Sequence, residues 1–137
     1  MARSSSPRHV SIGFEPGARV PAHVVTPGCV MLATWGDEAL DRWVVAHDFA
    51  VFAPAGSTDR ARFRDQVLAA RALGRWITER QLDPSLCGLA LALKDRKGDC
   101  RGAHGMTVPM AANTREQLLS RMPPLLQEAA QVLRPIL

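Results

Sequence analysis

The sequence predicts an α+β fold, an antiparallel sheet with flanking helices. Three observations carry that expectation. His9–Glu15 alternates apolar and polar residues strictly, the pattern of a half-buried strand. Two β-rich runs, Leu86–Lys94 and Cys100–Val108, flank Asp95-Arg96-Lys97-Gly98-Asp99, whose residue types suit a hairpin turn. Between and after these strands, apolar residues recur at helical spacing. Four strands with helices on one side form the expected layers.

Taken in order, Val10, Ile12 and Phe14 share one face of the first strand, and Pro16-Gly17 marks a turn. Thr26-Pro27 fits an N-cap followed by proline at the first helical position, where the missing N–H costs nothing. That helix is expected to run through Met31-Leu32-Ala33 towards Trp35, with Gly36 closing it. Asp37 is placed to cap a second helix carrying Leu40, Trp43 and Val44 on one face. Phe49–Ser57 contains Pro54 and Gly56 and reads as a loop. A third helix starts near Thr58-Asp59, buries Phe63, Val67, Ala70 and Leu73, and stops at Gly74. Strands follow at Arg75–Glu79, Leu86–Lys94 and Cys100–Val108. The last helix opens on Thr114-Arg115-Glu116-Gln117, a capping-box pattern. Its apolar positions are Leu118, Leu119, Met122, Leu125, Leu126, Ala129 and Leu133. Pro123-Pro124 is expected to kink or restart it, because proline removes ladder hydrogen bonds.

Composition narrows the function classes. With 137 residues, 47% hydrophobic and 22% charged, the chain reads as one globular domain. Three cysteines, odd in number and without a CxxC pair, fit reduced thiols in the cytoplasm. The longest apolar run, Leu86–Leu93, falls short of the roughly 20 residues a membrane-spanning helix needs, so no membrane association is expected. The net charge of +4 is dispersed, and many arginines alternate with acids, as in Asp41-Arg42, Arg64-Asp65 and Asp95-Arg96. That pattern belongs to a solvated surface, and no direct nucleic-acid contact is expected.

The four histidines show no metal-ligand spacing, and no nucleotide or hydrolase motif occurs, so neither metal nor cofactor is expected. Four constellations remain. At Thr26-Pro27-Gly28-Cys29 a helix start offers unpaired N–H groups to a carboxylate, and Gly28 allows close approach; a plain cap and close helix–sheet packing is the alternative. Thr78-Glu79 ends a strand and can accept hydrogen bonds from a ligand, or simply face water. Gly88 lies opposite Gly105-x-Thr107, where glycine either opens a cavity or marks a close backbone approach. Cys29 near a helix start could be a lowered-pKa nucleophile with His23 or His104 as base, or a small apolar residue packed on the sheet. No catalytic residue is assigned.

The ordered set resembles the effector-binding domain of IclR-type bacterial transcriptional regulators. The family's P-[AM]-[HY]-x-[ST]-x-x-G-[RK]-x-x-L-A pattern is met by Pro21-Ala22-His23 and Gly28-Cys29-Val30-Met31-Leu32-Ala33, with Cys29 where a basic residue is usual. The segment Glu79–Ala90 keeps the spacing of the family's D-x-E-x-x-x-G-L stretch with several polar identities changed. Met122–Ala130 resembles the branch that regulates protocatechuate and 4-hydroxybenzoate breakdown. The resemblance implies a GAF-like domain over residues 1–137 lacking its N-terminal part, a homodimer or tetramer, and a small carboxylate effector. It implies a pocket of Ile12, Thr26, Pro27, Gly28, Cys29, Thr78, Glu79, Gly88, Gly105 and Thr107, enlarged by Gly88 and Gly105. A ligand-free interaction module using an open sheet edge is the alternative.

Overall fold

The structure is a computed structural model and describes residues 16–50, 59–79, 85–110 and 115–137. The strand expected at His9–Glu15, with Ile12 in it, lies outside the described residues, as do Thr58 and Thr114. A short 3-10 turn, Ala22–Val24, leads into α1 (Thr26–Leu32), α2 (Asp37–Ala46) and α3 (Arg60–Leu73). Strands β1 (Trp76–Glu79), β2 (Leu86–Lys94) and β3 (Cys100–Pro109) follow, then α4 (Arg115–Leu133) and a closing 3-10 turn, Arg134–Ile136.

The strands form an antiparallel sheet in the order β1-β2-β3. Thr78 pairs with Gly88 and Gly88 with Thr107; one step along, Trp76 pairs with Ala90 and Ala90 with Gly105. Near the hairpin the register slips, since Leu93 faces Gly102 while Lys94 faces Cys100, which leaves Arg101 as a bulge. The turn is held by Asp95. Its carboxylate accepts from the backbone N–H of Lys97 at 2.8 Å and Asp99 at 3.0 Å and from Arg101 Nε at 2.9 Å. Burial pulls that carboxyl's pKa upward, but the two amides and the guanidinium outweigh it and hold it below the ordinary value. Gly98 supplies the positive φ of 91° that closes the turn.

Alternation sends neighbouring side chains to opposite faces. On one face Leu89 and Leu91 pack with Leu126 of α4, supported by Ile77, Leu93, Met106 and Met122. On the other, α1 lies against Gly88 and Gly105 and is backed by α2 and α3 through Cys29, Leu32, Leu40, Val44, Phe63 and Val67. Helices thus cover both faces, not one. The apolar run of β2 explains this: a strand buried on both sides loses its polar alternation.

Several boundaries differ from the sequence reading. The N-cap of α1 is Val25, not Thr26, and α1 ends at Leu32. Gly36, not Asp37, caps α2, so Asp37 sits in the first turn, where its charge still suits the helix dipole. Asp59 caps α3 by accepting from Arg62 N–H at 3.0 Å, and Gly74 ends it at φ 69°. Leu73 is exposed, being the last helical residue before the chain turns away. α4 continues through Pro123-Pro124 without restarting. Its lost amides would have bonded the carbonyls of Leu119 and Ser120, both on exposed residues, where water can satisfy them. Leu119 and Leu125 are also exposed, so α4 buries a narrower stripe than its composition suggests.

Arg71 of α3 straps the helical layer together. Its guanidinium donates to Ala33 O at 3.1 Å, Trp35 O at 2.7 Å and Asp37 Oδ1 at 2.5 Å, spanning the exit of α1 and the entry of α2.

Candidate functional site

The face of the sheet under α1 carries the polar residues that the sequence singles out. Thr78, Gly88 and Thr107 form one cross-strand row, and Ala90 and Gly105 the next. Above the row, the buried Thr26 hydroxyl forms a short hydrogen bond to the Thr78 hydroxyl. A Cβ at Gly88 would stand 2.5 Å from Thr26 Oγ1 and 3.0 Å from Thr78 Oγ1. One at Gly105 would meet Leu89 O at 3.1 Å and the Pro27 ring at 3.6 Å. Glycine at both positions lets α1 approach the strands. The extra volume expected there is therefore filled by Thr26, Thr78 and Pro27.

Thr26, Pro27, Thr78, Gly88, Gly105 and Thr107 are thus brought together, with Gly105 and Thr107 exposed at the rim. Three others go elsewhere. Glu79 follows Thr78 by one residue, so it falls on the α4 face. Gly28 faces the preceding turn: a Cβ there would lie 2.2 Å from Ala22 O. Cys29 is buried among α2 and α3 residues, and burial pushes its thiol pKa up to about 12. That is the opposite of the lowered value a nucleophile needs, and the thiol-enzyme alternative at Cys29 is not sustained.

The expectation of free amides at the start of α1 also changes. Gly28 N–H donates to Val25 O at 3.1 Å and Cys29 N–H to the same oxygen at 3.4 Å. Pro27 has no N–H to offer. With the cap one residue earlier than expected, the amides of Gly28 and Cys29 are spent on Val25 O, and the Thr26 hydroxyl is the group of this turn that meets the sheet. Two shallow depressions of about 200 Å³ lie far from this row. They flank Arg134, between the hairpin turn and the end of α4. The hydroxyl row is the better candidate, because its polar groups converge around the buried Thr26 hydroxyl.

A second cluster escaped the sequence reading. His23, Trp43, His47, Phe49 and Phe63 gather within the helical layer, with His23 Nδ1 2.7 Å from His47 Nε2. The only local signal was the aromatic content of Trp43–Phe49, which does not reveal a partner 24 residues earlier.

No family model matches the chain. Among curated proteins it is 26% identical over 125 residues to the Pca operon regulatory protein of Acinetobacter baylyi, covering 91% of this chain and 45% of that protein. It is 25% identical over 132 residues to the Pca regulon regulatory protein of Pseudomonas putida, covering 96% and 45%. The chain therefore spans less than half the length of these relatives. A transcriptional regulator from Rhodococcus sp. RHA1 superposes with a TM-score of 0.84 at 26% identity, over 91% of this chain and 51% of that one. The inducer-binding domain of the PobR transcription factor from Acinetobacter, in complex with 3-hydroxybenzoic acid, gives 0.85 at 21% identity, over 96% and 75%. The fold is that of an IclR-type effector-binding domain. Among the described residues, no helix is long and apolar enough to cross a membrane.

Proposed function

We propose that this chain is the small-molecule-sensing domain of a bacterial transcriptional regulator, one domain over residues 1–137 that binds a small carboxylate and carries out no catalysis. Its ligand is an aromatic acid or a short catabolic dicarboxylate, and it acts in the cytoplasm on a catabolic operon. Thr26, Thr78 and Thr107 supply the hydrogen bonds, and Pro27, Gly28, Cys29, Gly88 and Gly105 shape the surrounding backbone. Homodimers or tetramers form, and contact with DNA falls to other parts of the regulator.

The observation that carries this reading is the hydrogen bond between the buried Thr26 hydroxyl and the half-buried Thr78 hydroxyl above Gly88, in one row with Thr107. Hydroxyls converging between a helix and a sheet suit a polar ligand better than a protein surface. A thermal-shift screen of hydroxybenzoates and short dicarboxylates tests it. At a hundredfold excess over Kd, binding should stabilise the fold by about 2.7 kcal/mol. Thr78→Val keeps the shape and removes one hydroxyl, so it should weaken the shift while the apo domain stays folded. No shift with any acid would favour the interaction-module reading.

A further inference from the structure

The histidine pair stands outside the hydroxyl row but is wired to it. His23 sits in the turn before α1 and is 1% exposed. His47 directly follows α2, and its backbone N–H donates to Trp43 O at 2.9 Å. Its ring stacks on Trp43, with centroids 4.1 Å apart and planes 17° apart, and meets Phe49 edge-on at 4.9 Å. Arg60 reaches over from α3, donating to His47 O at 3.3 Å and lying 5.8 Å from the Phe49 ring centre. The turn that holds His23 also carries Ala22, whose carbonyl fills the notch at Gly28, and two residues after it comes Thr26.

Two imidazole nitrogens 2.7 Å apart need one proton between them. A neutral pair satisfies this with either tautomer. A pair in which both rings are charged cannot, because it points two N–H groups at each other. We propose that His23 and His47 form a proton-operated latch: while one proton is shared, the turn before α1 is pinned to the end of α2, and full protonation of both rings releases it.

The charges around His47 agree with this. Burial lowers its pKa most, the neighbouring His23 and the Arg60 guanidinium lower it further, and only Asp48 opposes them. The folded-state value thus lies below the ordinary 6.5. The unfolded chain takes up protons first, so the latch's contribution is fully present above pH 6.5 and is lost as pH falls through the folded value.

The test uses the intact chain without ligand. Imidazole NMR should show His47 titrating below 6.5, with Trp43 emission changing in step because the two rings stack. Over the same range the amides of Ala22–Thr26 should lose exchange protection, corrected for intrinsic rates. His47→Gln has no ionisable group and can still exchange a hydrogen bond with His23, so this acid-dependent loss should disappear. The latch is refuted if His47 titrates at or above 6.5, if protection of Ala22–Thr26 is unchanged across its titration, or if His47→Gln shows the same loss. An effect on effector affinity rests on the sensing function proposed above; the ligand-free titration does not, so the two can fail separately.

Discussion

Along β2, odd-numbered Leu89 and Leu91 turn to α4, and even-numbered Gly88 and Ala90 turn to α1. The first contact is a seal of large aliphatic groups around Leu126. The second is made of threonine hydroxyls, a proline ring and glycines that let backbones touch. One strand therefore performs two tasks at a period of two residues. The α4 face contributes dry burial, which is indifferent to which aliphatic group supplies it. The α1 face contributes shape and hydrogen bonds, which tolerate almost no added atoms.

The sharpest way to break this contrast is to add volume on the α1 face. Gly28→Val places carbon against the Ala22 backbone, where no side chain can rotate away. It should cost about 3 kcal/mol or more, beyond ordinary overpacking, read as a loss of Tm or of soluble folded protein. A Gly28 variant is consequently unsuitable for separating binding from folding. Removing volume on the α4 face comes next. Leu126→Ala should cost about 2–4 kcal/mol by chemical denaturation, whereas Leu126→Met should stay below about 1.5 kcal/mol because shape is roughly conserved. Equal costs for the two would mean that the α4 face is as exacting as the other. The smallest effect belongs to Thr78→Val. Losing one hydroxyl partner should cost about 1 kcal/mol in the apo protein, with a proportionally larger loss of ligand-induced stabilisation.

How far the sequence could be read follows from the range of each signal. The hairpin, α3 with Asp59 and Gly74 at its ends, and the apolar run of β2 depend on neighbours within a few residues, and they stood out. The start of α1 was displaced by one residue because Thr26-Pro27 is compatible with either cap or first-turn positions, and only backbone angles decide. In the resulting turn the amides of Gly28 and Cys29 bond to Val25 O and are not free for a ligand. Thr78 and Glu79 look like a pair in sequence, yet strand alternation separates them; the direction of Thr78 depends on α1 lying above it. The meeting of His23 with His47 is a tertiary contact that no periodicity encodes. Helices on both sides of the sheet could have been foreseen from β2, whose inner residues are apolar on both faces.

Arg71 gives the helical layer a mechanical character. By gripping two carbonyls just past the end of α1, those of Ala33 and Trp35, and the first carboxylate of α2 from a third helix, it couples all three. The planar guanidinium resists shear between them in a way that a single ammonium on a flexible stem would not. Lifting α1 from the strands would therefore strain the ties to α2 and α3 as well, so the helical layer is held as one block rather than as three independent helices.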